Sequence, residues 1–430
     1  MNKREFKSIG LFRQMKKEIR GSDKYLIVGI DVAKEKHHAF IGDARGRSIL
    51  RRLVFTNSKE GFERLITHAE NKKAVENLEE IVFGLEPTAN YHKPLGEYLI
   101  SRGYATVLVG STAVVRNREL MDGRWDKNDA KDSANVADLI SQGKCLYYDH
   151  SSEPIRELRS LLSLKRKLKK REHGTRIRIR NHLVAQYFPE LDGYMTSSPI
   201  ACHAIIEHVF DPKEITTMSL ESFISLVTSK TPRLRLRRVL VDIWELSAIS
   251  IGCQVTESVR YEASVLVRSL RQVREDIKDI EKQIKAICQT IPEYHLLMTI
   301  PGFGETITAM TIGAIGDWRR FENRKQLLKL VGLDLSASRS GKTSDSATPK
   351  ISKKGKAELR YALYQAAQVA SSRNTDFMAY FTDKIKGRAK EKGIKTKTRV
   401  KLAAKMLVIA WTLMRKGQTF DPDFIRRKRL

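Results

Sequence analysis

Three short apolar runs in the first third of the chain limit its fold most narrowly. They occupy residues 25–33 (YLIVGIDVA), 81–86 (IVFGLE) and 105–110 (ATVLVG), and each has the length and apolar character of a strand. Two further runs, 38–41 and 48–55, flank a turn at 42–46 (GDARG), which predicts a hairpin. This part of the chain therefore contains a sheet.

Stretches with helical periodicity separate the hairpin and the later apolar runs, and another such stretch follows the last run. It covers about 58–72 after a cap at Asn57, about 92–102 before Gly103, and the stretch from Asp126 onward, where alanines share one face. A hairpin followed by alternating strands and helices predicts an α/β domain with a mixed sheet and helices packed on it.

The rest of the chain is helical in pattern. Residues 255–287 carry an apolar seam at alternating spacings of four and three over about four heptads: Val259, Ala263, Leu266, Leu270, Val273, Ile277, Ile280 and Ile284. The seam fits a coiled coil and an ordinary long core helix equally well, and either could serve as a spacer or an oligomerisation arm. Residues 291–416 are mostly helical, with a loop-rich insert at 334–354 and helices at about 355–372 and 397–415.

These patterns predict five segments. They are an N-terminal extension at 1–24, an α/β domain at 25–150, a basic and coiled-coil-like helical segment at 151–290, a mostly α domain at 291–423 and a basic tail at 424–430.

Charge narrows the class of partner. Lys and Arg total 79 against 50 Asp and Glu, so the formal net charge is +29, and an excess of this size usually means a nucleic-acid partner. The four cysteines show no paired spacing for zinc and fit a reducing compartment. No stretch approaches the roughly 18 apolar residues of a membrane span, and the basic N-terminus lacks the apolar run of a signal peptide. We expect a cytoplasmic protein.

Four carboxylates in the α/β domain point to metal chemistry. Asp31 lies inside an apolar strand, Glu86 ends another strand before Pro87, and Asp126 and Asp129 are three apart on a predicted helix. A carboxylate in such a strand is costly unless compensated, and Mg²⁺ is the usual remedy. Four converging carboxylates could hold two Mg²⁺ ions, with Mn²⁺ as a substitute, and clamp a phosphodiester in line.

Each acid also has a plainer explanation. Asp31 could be a satisfied buried acid, Glu86 an ordinary loop start, and Asp126 and Asp129 first-turn acids favoured by the helix dipole. Asp132 and Asp138 lie on the same helix but are not among the candidate ligands. The constellation is more specific than any of its members.

The sequence resembles the DEDD-type transposases of bacterial insertion sequences. The N-terminal match is carried by GIDVAKEKH, GLEPTANYHKPL and DKNDAKDSANVADLI, and the C-terminal match by MTIPGFGETITAMTIGAIGDWRRF, LLKLVGLDLSASRSG and ISKKGKAELRYALYQAA. The resemblance covers roughly 25–145 and 295–423. It implies an RNase H-like (RuvC-like) N-terminal domain in which Asp31, Glu86, Asp126 and Asp129 are the four acidic positions.

The resemblance also implies an unusual reaction. Members of this family are thought to combine the acidic site with a C-terminal serine nucleophile in a composite active site, to be guided by a structured noncoding (bridge) RNA that pairs with donor and target DNA, and to act as multimers. The matching serine here is Ser340, with Ser338 as the alternative. The implied partners are element-end and target DNA, a guide RNA and further copies of the chain in a dimer or tetramer, at the bacterial nucleoid.

Several groups are candidates for nucleic-acid contact. Pro301–Gly304 resembles the turn of a helix-hairpin-helix module, where Gly302 and Gly304 could present backbone N–H groups to a phosphate; a plain helix-helix turn is the alternative. Lys342 places positive charge beside Ser340. The basic runs at 165–180, 233–238 and 384–401 could track phosphates, although a charge run is often only a solvated helix face. In the first run the candidates are Lys165, Arg166, Lys167, Lys169, Lys170, Arg171, Arg176, Arg178 and Arg180.

Two enzymatic functions and one binding function follow. The first is a transposase or recombinase that cuts and rejoins DNA through a covalent phosphoserine. The second is a RuvC-like nuclease that hydrolyses DNA junctions, with the C-terminal part only holding DNA. The third, a non-enzymatic nucleic-acid-binding protein, is disfavoured because all four acids and the Ser-Gly pair are present.

Overall fold

The computed structural model describes residues 3–121, 129–148, 150–229, 231–336 and 350–426. The chain divides into two compact units, Met1–Ser152 and Glu153–Leu430. The first is a mixed α/β unit, and the second is mostly helical.

The first unit is built on a six-stranded sheet of order β3-β2-β1-β4-β5-β6. Strands β1, β4 and β5 are parallel, whereas β2, β3 and β6 are antiparallel to their neighbours. The elements are α1 (Lys3–Glu18), β1 (Tyr25–Asp31), β2 (Lys36–Asp43), β3 (Ser48–Thr56), α2 (Lys59–Val75), β4 (Glu80–Leu85), α3 (His92–Ser101), β5 (Ala105–Leu108), α4 (Ser111–Met121), α5 (Asp129–Ser141) and β6 (Leu146–Tyr147).

Both faces of the sheet are covered, which explains why β1 reads as a continuous apolar run. On one face Leu26, Val28 and Ile30 pack with α2 and α3. On the opposite face Tyr25 and Ile27 pack with α1, α4 and α5. Successive residues of β1 therefore alternate between two helical layers, and this alternation fixes the direction of every side chain at the end of the strand.

The structure adds one local feature to the sequence-based expectation and corrects another. The N-terminal extension contains helix α1, and Met15 of this helix and Ile19 just after it are buried in the core of the first unit. The cap of α2 is Ser58 and not Asn57: the Ser58 side chain accepts from the N–H of Gly61, whereas the Asn57 amide donates to the carbonyl of Lys34. Both residue types cap helices well, and the one with extended backbone directly before the helix does so here.

The second unit begins with a long helix and closes on a helical core. Its elements are α6 (Glu153–Arg178), a π-helical segment (Ile179–Val184), α7 (Ala185–Tyr187), a 3₁₀ turn (Pro189–Tyr194), α8 (Pro199–His208), α9 (Pro212–Thr217), α10 (Leu220–Val227), α11 (Leu234–Ser247), α12 (Glu257–Gln289), α13 (Pro292–Met298), α14 (Glu305–Ile315), a 3₁₀ turn (Trp318–Arg320), α15 (Arg324–Val331), β7 (Leu335–Ser336), β8 (Lys350–Ile351), α16 (Ala357–Arg373), α17 (Thr375–Ile385), α18 (Ile394–Lys416) and α19 (Asp423–Arg426).

Helices α6 and α12 form an antiparallel pair. Near one end Arg178 bonds to Glu262 at 2.6 Å, and near the other Lys165 pairs with Glu281 at 2.9 Å. The apolar seam of α12 is buried within the chain, at one end with α8–α11 and at the other with α13–α18. The predicted seam is therefore a coiled-coil-like contact inside one chain, and it is already covered without a second copy.

No helix in the described ranges combines the length and the apolar character that a membrane span requires.

Candidate active site and nucleic-acid interface

Asp31 and Glu86 lie at the ends of neighbouring parallel strands. The register of β1 and β4 ends with Ile30 opposite Leu85, and the N–H of Glu86 continues the ladder by donating to the carbonyl of Ile30 at 3.3 Å. The next pair in this register is Asp31 and Glu86. Adjacent strands are about 5 Å apart, so the two carboxylates lie within reach of a shared cation.

The two acids also point to the same face of the sheet. In β1 the alternation that places Tyr25 and Ile27 under the α5 layer continues to Asp31, and in β4 the alternation of Val82 continues to Glu86. Both acids are half-buried. The predicted pair is thus placed at one edge of the sheet, on the face that carries α5.

Glycine brings α5 close to this edge. A Cβ at Gly29 would lie 2.3 Å from the backbone oxygen of Ser133, and a Cβ at Gly84 would lie 1.9 Å from Ile140. Helix α5 therefore packs directly on β1 and β4. Because Asp129 begins α5 one turn before Ser133, the helix starts near the strand ends.

The other acids of α5 have structural partners. Asp132 is buried and forms an ion pair with Arg118 of α4. Asp138 accepts from Asn117 and from Gln142, each at 2.7 Å, and Asn117 also donates to Asn135 at 2.8 Å. This buried polar network fastens α4 to α5, so Asp132 and Asp138 serve helix packing.

Two histidines, His37 and His38, flank the acidic edge. Neither was among the site residues predicted from the sequence. His37 is fully buried; its Nδ1 accepts from the N–H of Ala33 at 3.2 Å and so holds the turn that follows Asp31, while burial lowers its pKa. His38 is paired with Asp31 in the β1–β2 register and therefore faces the same side of the sheet. The alternation of side chains along the hairpin strands could have indicated His38, but only if the pairing register of β1 and β2 had been known.

The remaining predicted acids have no described side chain. Asp126 lies outside the described residues, and Asp129 is described by its backbone alone. Among the side chains that the structure does describe, no three His, Cys, Asp or Glu groups are close enough to hold a metal ion. Asp31 and Glu86 are two carboxylates of the kind that Mg²⁺ prefers, and their placement fits part of a metal site.

The predicted serines and Lys342 also lie outside the described residues, but both ends of their loop are described. Strands β7 and β8 pair Leu335 with Ile351. The hydroxyl of Ser352 donates to Asp334 at 2.5 Å, and the Arg360 guanidinium donates to the carbonyls of Val331 and Lys353 at 2.8 and 3.3 Å. A bonded hairpin base thus brings residues 336 and 350 side by side.

The Pro301–Gly304 turn joins α13 to α14. Gly302 has φ +88, and a Cβ there would lie 2.5 Å from the carbonyl of Ala366. This glycine is required by packing against α16. Gly304 has open space around it and caps α14 without a side-chain bond, so an accessible backbone is found at Gly304.

The basic run of α6 contains cations of two kinds. Several are engaged within the chain: Lys165 with Glu281, Arg166 with Glu358, Lys169 with Glu172, Arg171 with Ser269, Arg178 with Glu262 and Arg180 with Asp192. Lys167, Lys170 and Arg176 are exposed. In the second predicted run, Arg237 pairs with Glu221 at 2.6 Å. Part of each of these two runs is therefore engaged in ion pairs and hydrogen bonds within the chain.

Comparison with known proteins agrees with the two-part pattern. A transposase family model of the DEDD type of IS110 matches residues 28–189, which include both strand-end acids and α5. A second model, described as the transposase IS116/IS110/IS902 family, matches residues 294–382, which include both predicted serines. The chain belongs to the IS116/IS110/IS902 family of insertion-sequence transposases.

Relatives of this transposase family align over most of the chain. An uncharacterized 43.6 kDa protein of insertion element IS110 from Streptomyces coelicolor is 23% identical over 408 residues, which cover 93% of this chain and 96% of that protein. An uncharacterized 44.8 kDa protein of IS116 from Streptomyces clavuligerus is 24% identical over 413 residues, or 92% and 96%. A putative transposase, y4uE, from Sinorhizobium fredii is 27% identical over 170 residues, or 39% and 46%.

Proposed function

We propose that this transposase cuts and rejoins DNA with a metal-dependent acidic site in an RNase H-like first unit and a serine nucleophile in the second unit. The observation that carries the proposal is the adjacency of Asp31 and Glu86 at neighbouring strand ends, on the face covered by α5. Apolar packing alone gives no reason to place two carboxylates there.

The acidic site would consist of Asp31, Glu86, Asp126 and Asp129. Bound Mg²⁺, or Mn²⁺ in its place, would supply charge stabilisation to the attacking and leaving oxygens of a phosphodiester. The strands fix the first two carboxylates, and the close packing of α5 on Gly29 fixes where its first turn begins. Preorganised carboxylates reduce the rearrangement needed when the scissile phosphate arrives.

The serine would conserve the bond that is cut. Ser340 Oγ, with Ser338 as the alternative, attacks the phosphorus and loses its proton. One phosphodiester between nucleotides is replaced by one between serine and a strand end, and the other strand end leaves as a hydroxyl. Attack by a second strand's hydroxyl restores a DNA phosphodiester and the free serine. Positive charge from Lys342, Lys350 and Lys353 would favour the developing oxyanion.

The proposed binding of DNA and of a guide RNA is supported by the charge of the chain and by exposed cations on α6. The net charge of +29 and the exposed cations of α6 support sequence-independent contact with DNA and with a structured guide RNA. If base pairing with RNA supplies specificity, the protein needs few base contacts of its own. Because the α12 seam is covered within the chain, assembly into dimers or tetramers would use other surfaces.

The acidic site is tested by conservative substitution. Full-length protein, the RNA encoded beside the gene and labelled element-junction DNA are incubated over a Mg²⁺ series. Asp31→Asn and Glu86→Gln should each lower strand cleavage by at least about 100-fold. Asp23→Asn and Glu79→Gln make the same chemical changes at exposed acids of the first unit and should leave cleavage unchanged. Unaltered cleavage in Asp31→Asn would contradict the proposal.

A further inference from the structure

A cleft opens on the second unit where α6 passes into its π-helical segment. It measures about 500 Å³ and is lined by Gly174, Ile177, Arg178, His182, Tyr187 and Glu262, among others. Ligand sites of small molecules and of single nucleotides are of this size. The cleft combines an aromatic side chain, an exposed aliphatic side chain and a charged pair.

No contact with the described part of the chain explains the glycine at position 174. It lies inside the 26-residue helix α6, and a Cβ at this position would meet no atom within 4 Å. Glycine inside a helix costs about 1 kcal/mol relative to alanine. Because no side chain covers the backbone at this position, another molecule can approach the helix closely there.

The backbone beyond Gly174 is also irregular. Residues Ile179–Val184 form π-helix, a rare geometry that is found mostly as single turns at functional sites. Ile177, two residues before this segment, leaves 42% of its surface exposed. On the cleft wall the Arg178 guanidinium donates two bonds to one carboxylate oxygen of Glu262, at 3.0 and 2.6 Å, so the wall presents both donors and an acceptor.

A stripe of cations leads to the cleft. Arg166, Lys167 and Lys170 lie on the same solvent-facing side of α6 as Gly174 and Ile177, because these positions recur at three- and four-residue intervals and all are exposed. From Arg166 to Gly174 the stripe extends about 12 Å. A phosphate backbone lying along it would carry the adjoining base to the mouth of the cleft.

We propose that this cleft takes one unpaired, unstacked nucleotide of a single-stranded segment of RNA or DNA. The base packs on Ile177 and Tyr187 against the Gly174 backbone, its polar edge faces Arg178 and Glu262, and its flanking phosphates lie on Lys167 and Lys170. Stacking and apolar contact of this kind are sequence-tolerant. The inference rests on the proposed function only in that the protein handles nucleic acid.

The proposal is tested with equilibrium binding of full-length protein to a 20-mer single-stranded RNA, the DNA of the same sequence and the fully paired duplex. Gly174→Gln fills the cleft wall with a good helix former, so it should raise the unfolding temperature while weakening single-strand binding about 10-fold. Duplex binding should be unchanged. Gly10→Gln is the matched control, since Gly10 is also exposed inside a helix with open space around it.

A second variant pair tests the stripe. Lys167→Gln with Lys170→Gln should reduce the salt dependence of single-strand binding by about 1.4 log units per log unit of salt. As a control, Lys278→Gln with Lys282→Gln removes the same charge from the exposed face of α12. This pair should leave the salt dependence of single-strand binding unchanged.

The arms separate the possible outcomes. Weaker binding of Gly174→Gln to single-stranded RNA alone, or to both single-stranded RNA and DNA, supports the cleft and identifies which nucleic acid it binds. Unchanged single-strand binding in Gly174→Gln, or equal loss for duplex and single strands, overturns the cleft. If Asp31→Asn still abolishes cleavage in that case, the proposed function stands without it.

Discussion

A Cβ atom at Gly29 would lie 2.3 Å from the backbone oxygen of Ser133. Real Cβ atoms do not approach a backbone oxygen this closely, so helix α5 reaches its position on β1 only because residue 29 is glycine. Asp31 follows Gly29 by two residues on the same face, and Asp129 precedes Ser133 by one turn. The glycine therefore sets the spacing between the strand-end acids and the start of α5.

Gly29→Ala tests this spacing. The added methyl should push α5 away from β1 and cost about 1–3 kcal/mol of unfolding free energy. Cleavage should fall further than stability explains, and the Mg²⁺ concentration for half-maximal cleavage should rise. Gly110→Ala, at a first-unit glycine with open space around it, should do neither. Wild-type cleavage in a folded Gly29→Ala protein would show that the α5 position is not critical.

His38 offers a test of the β2 side of the site. Its register position opposite Asp31 lets it orient that carboxylate, and loss of such a neighbour typically costs about 10- to 100-fold. We expect His38→Ala to lower cleavage by this factor and to shift its Mg²⁺ dependence, with partial recovery in His38→Gln. His68→Ala is the control on α2. An unshifted Mg²⁺ dependence would assign His38 to packing alone.

Arg360 tests the hairpin base below the serine loop. Arg360→Met keeps the length of the side chain but removes its bonds to the carbonyls of Val331 and Lys353, at a cost of about 1–3 kcal/mol. Because the serine would carry out both the cut and the rejoining, adduct formation and strand joining should both fall on the same gel. Arg373→Met, at an exposed arginine of the same helix, should behave as wild type. Equal strand joining in Arg360→Met and Arg373→Met would show that the hairpin base does not position the serine loop.

His203 predicts a pH dependence of stability. Burial, together with Arg274, Arg176 and Arg271, lowers its pKa to about 4. The unfolded chain takes up a proton near pH 6.5 and the folded chain only near pH 4, so the unfolding free energy falls as pH decreases through this window. The loss at pH 4.5 should be about 2 kcal/mol after allowance for partial exposure. Urea unfolding of His203→Gln should show a smaller loss than that of His208→Gln; equal losses would refute the assignment.

The sheet and its acids could be predicted because they depend on local pattern. Apolar runs of strand length and the positions of Asp31 and Glu86 within them are visible in the sequence. The register that sets Asp31 opposite both Glu86 and His38 is not, because it depends on pairing between distant segments. The acids of α5 show the same division: Asp132 lies between the predicted pair and Asp138, and only its ion pair with Arg118 identifies it as structural.

In the helical second unit, the sequence predicted the helices but not how they pack. The spacing of α12 predicted an apolar seam, but periodicity does not identify the elements that cover it. Here these are helices of the same chain, with α6 among them. The π-helical segment after Gly174 carried no recognised signal at all, since the six residues read as a continuation of an amphipathic helix. Irregular backbone arises from tertiary packing that a one-dimensional pattern does not contain.

Covalent trapping distinguishes attack by serine from hydrolysis by water. Wild-type protein, Ser340→Ala, Ser338→Ala and Asp129→Ala are incubated with Mg²⁺, the flanking RNA and labelled element-junction DNA, and separated on a denaturing gel. The account predicts a DNA-linked protein band that is lost in Ser340→Ala, or in Ser338→Ala if that serine is the nucleophile, and is weakened in Asp129→Ala. Free nicked DNA without an adduct, lost in Asp129→Ala but retained in both serine variants, would instead show a hydrolytic junction nuclease.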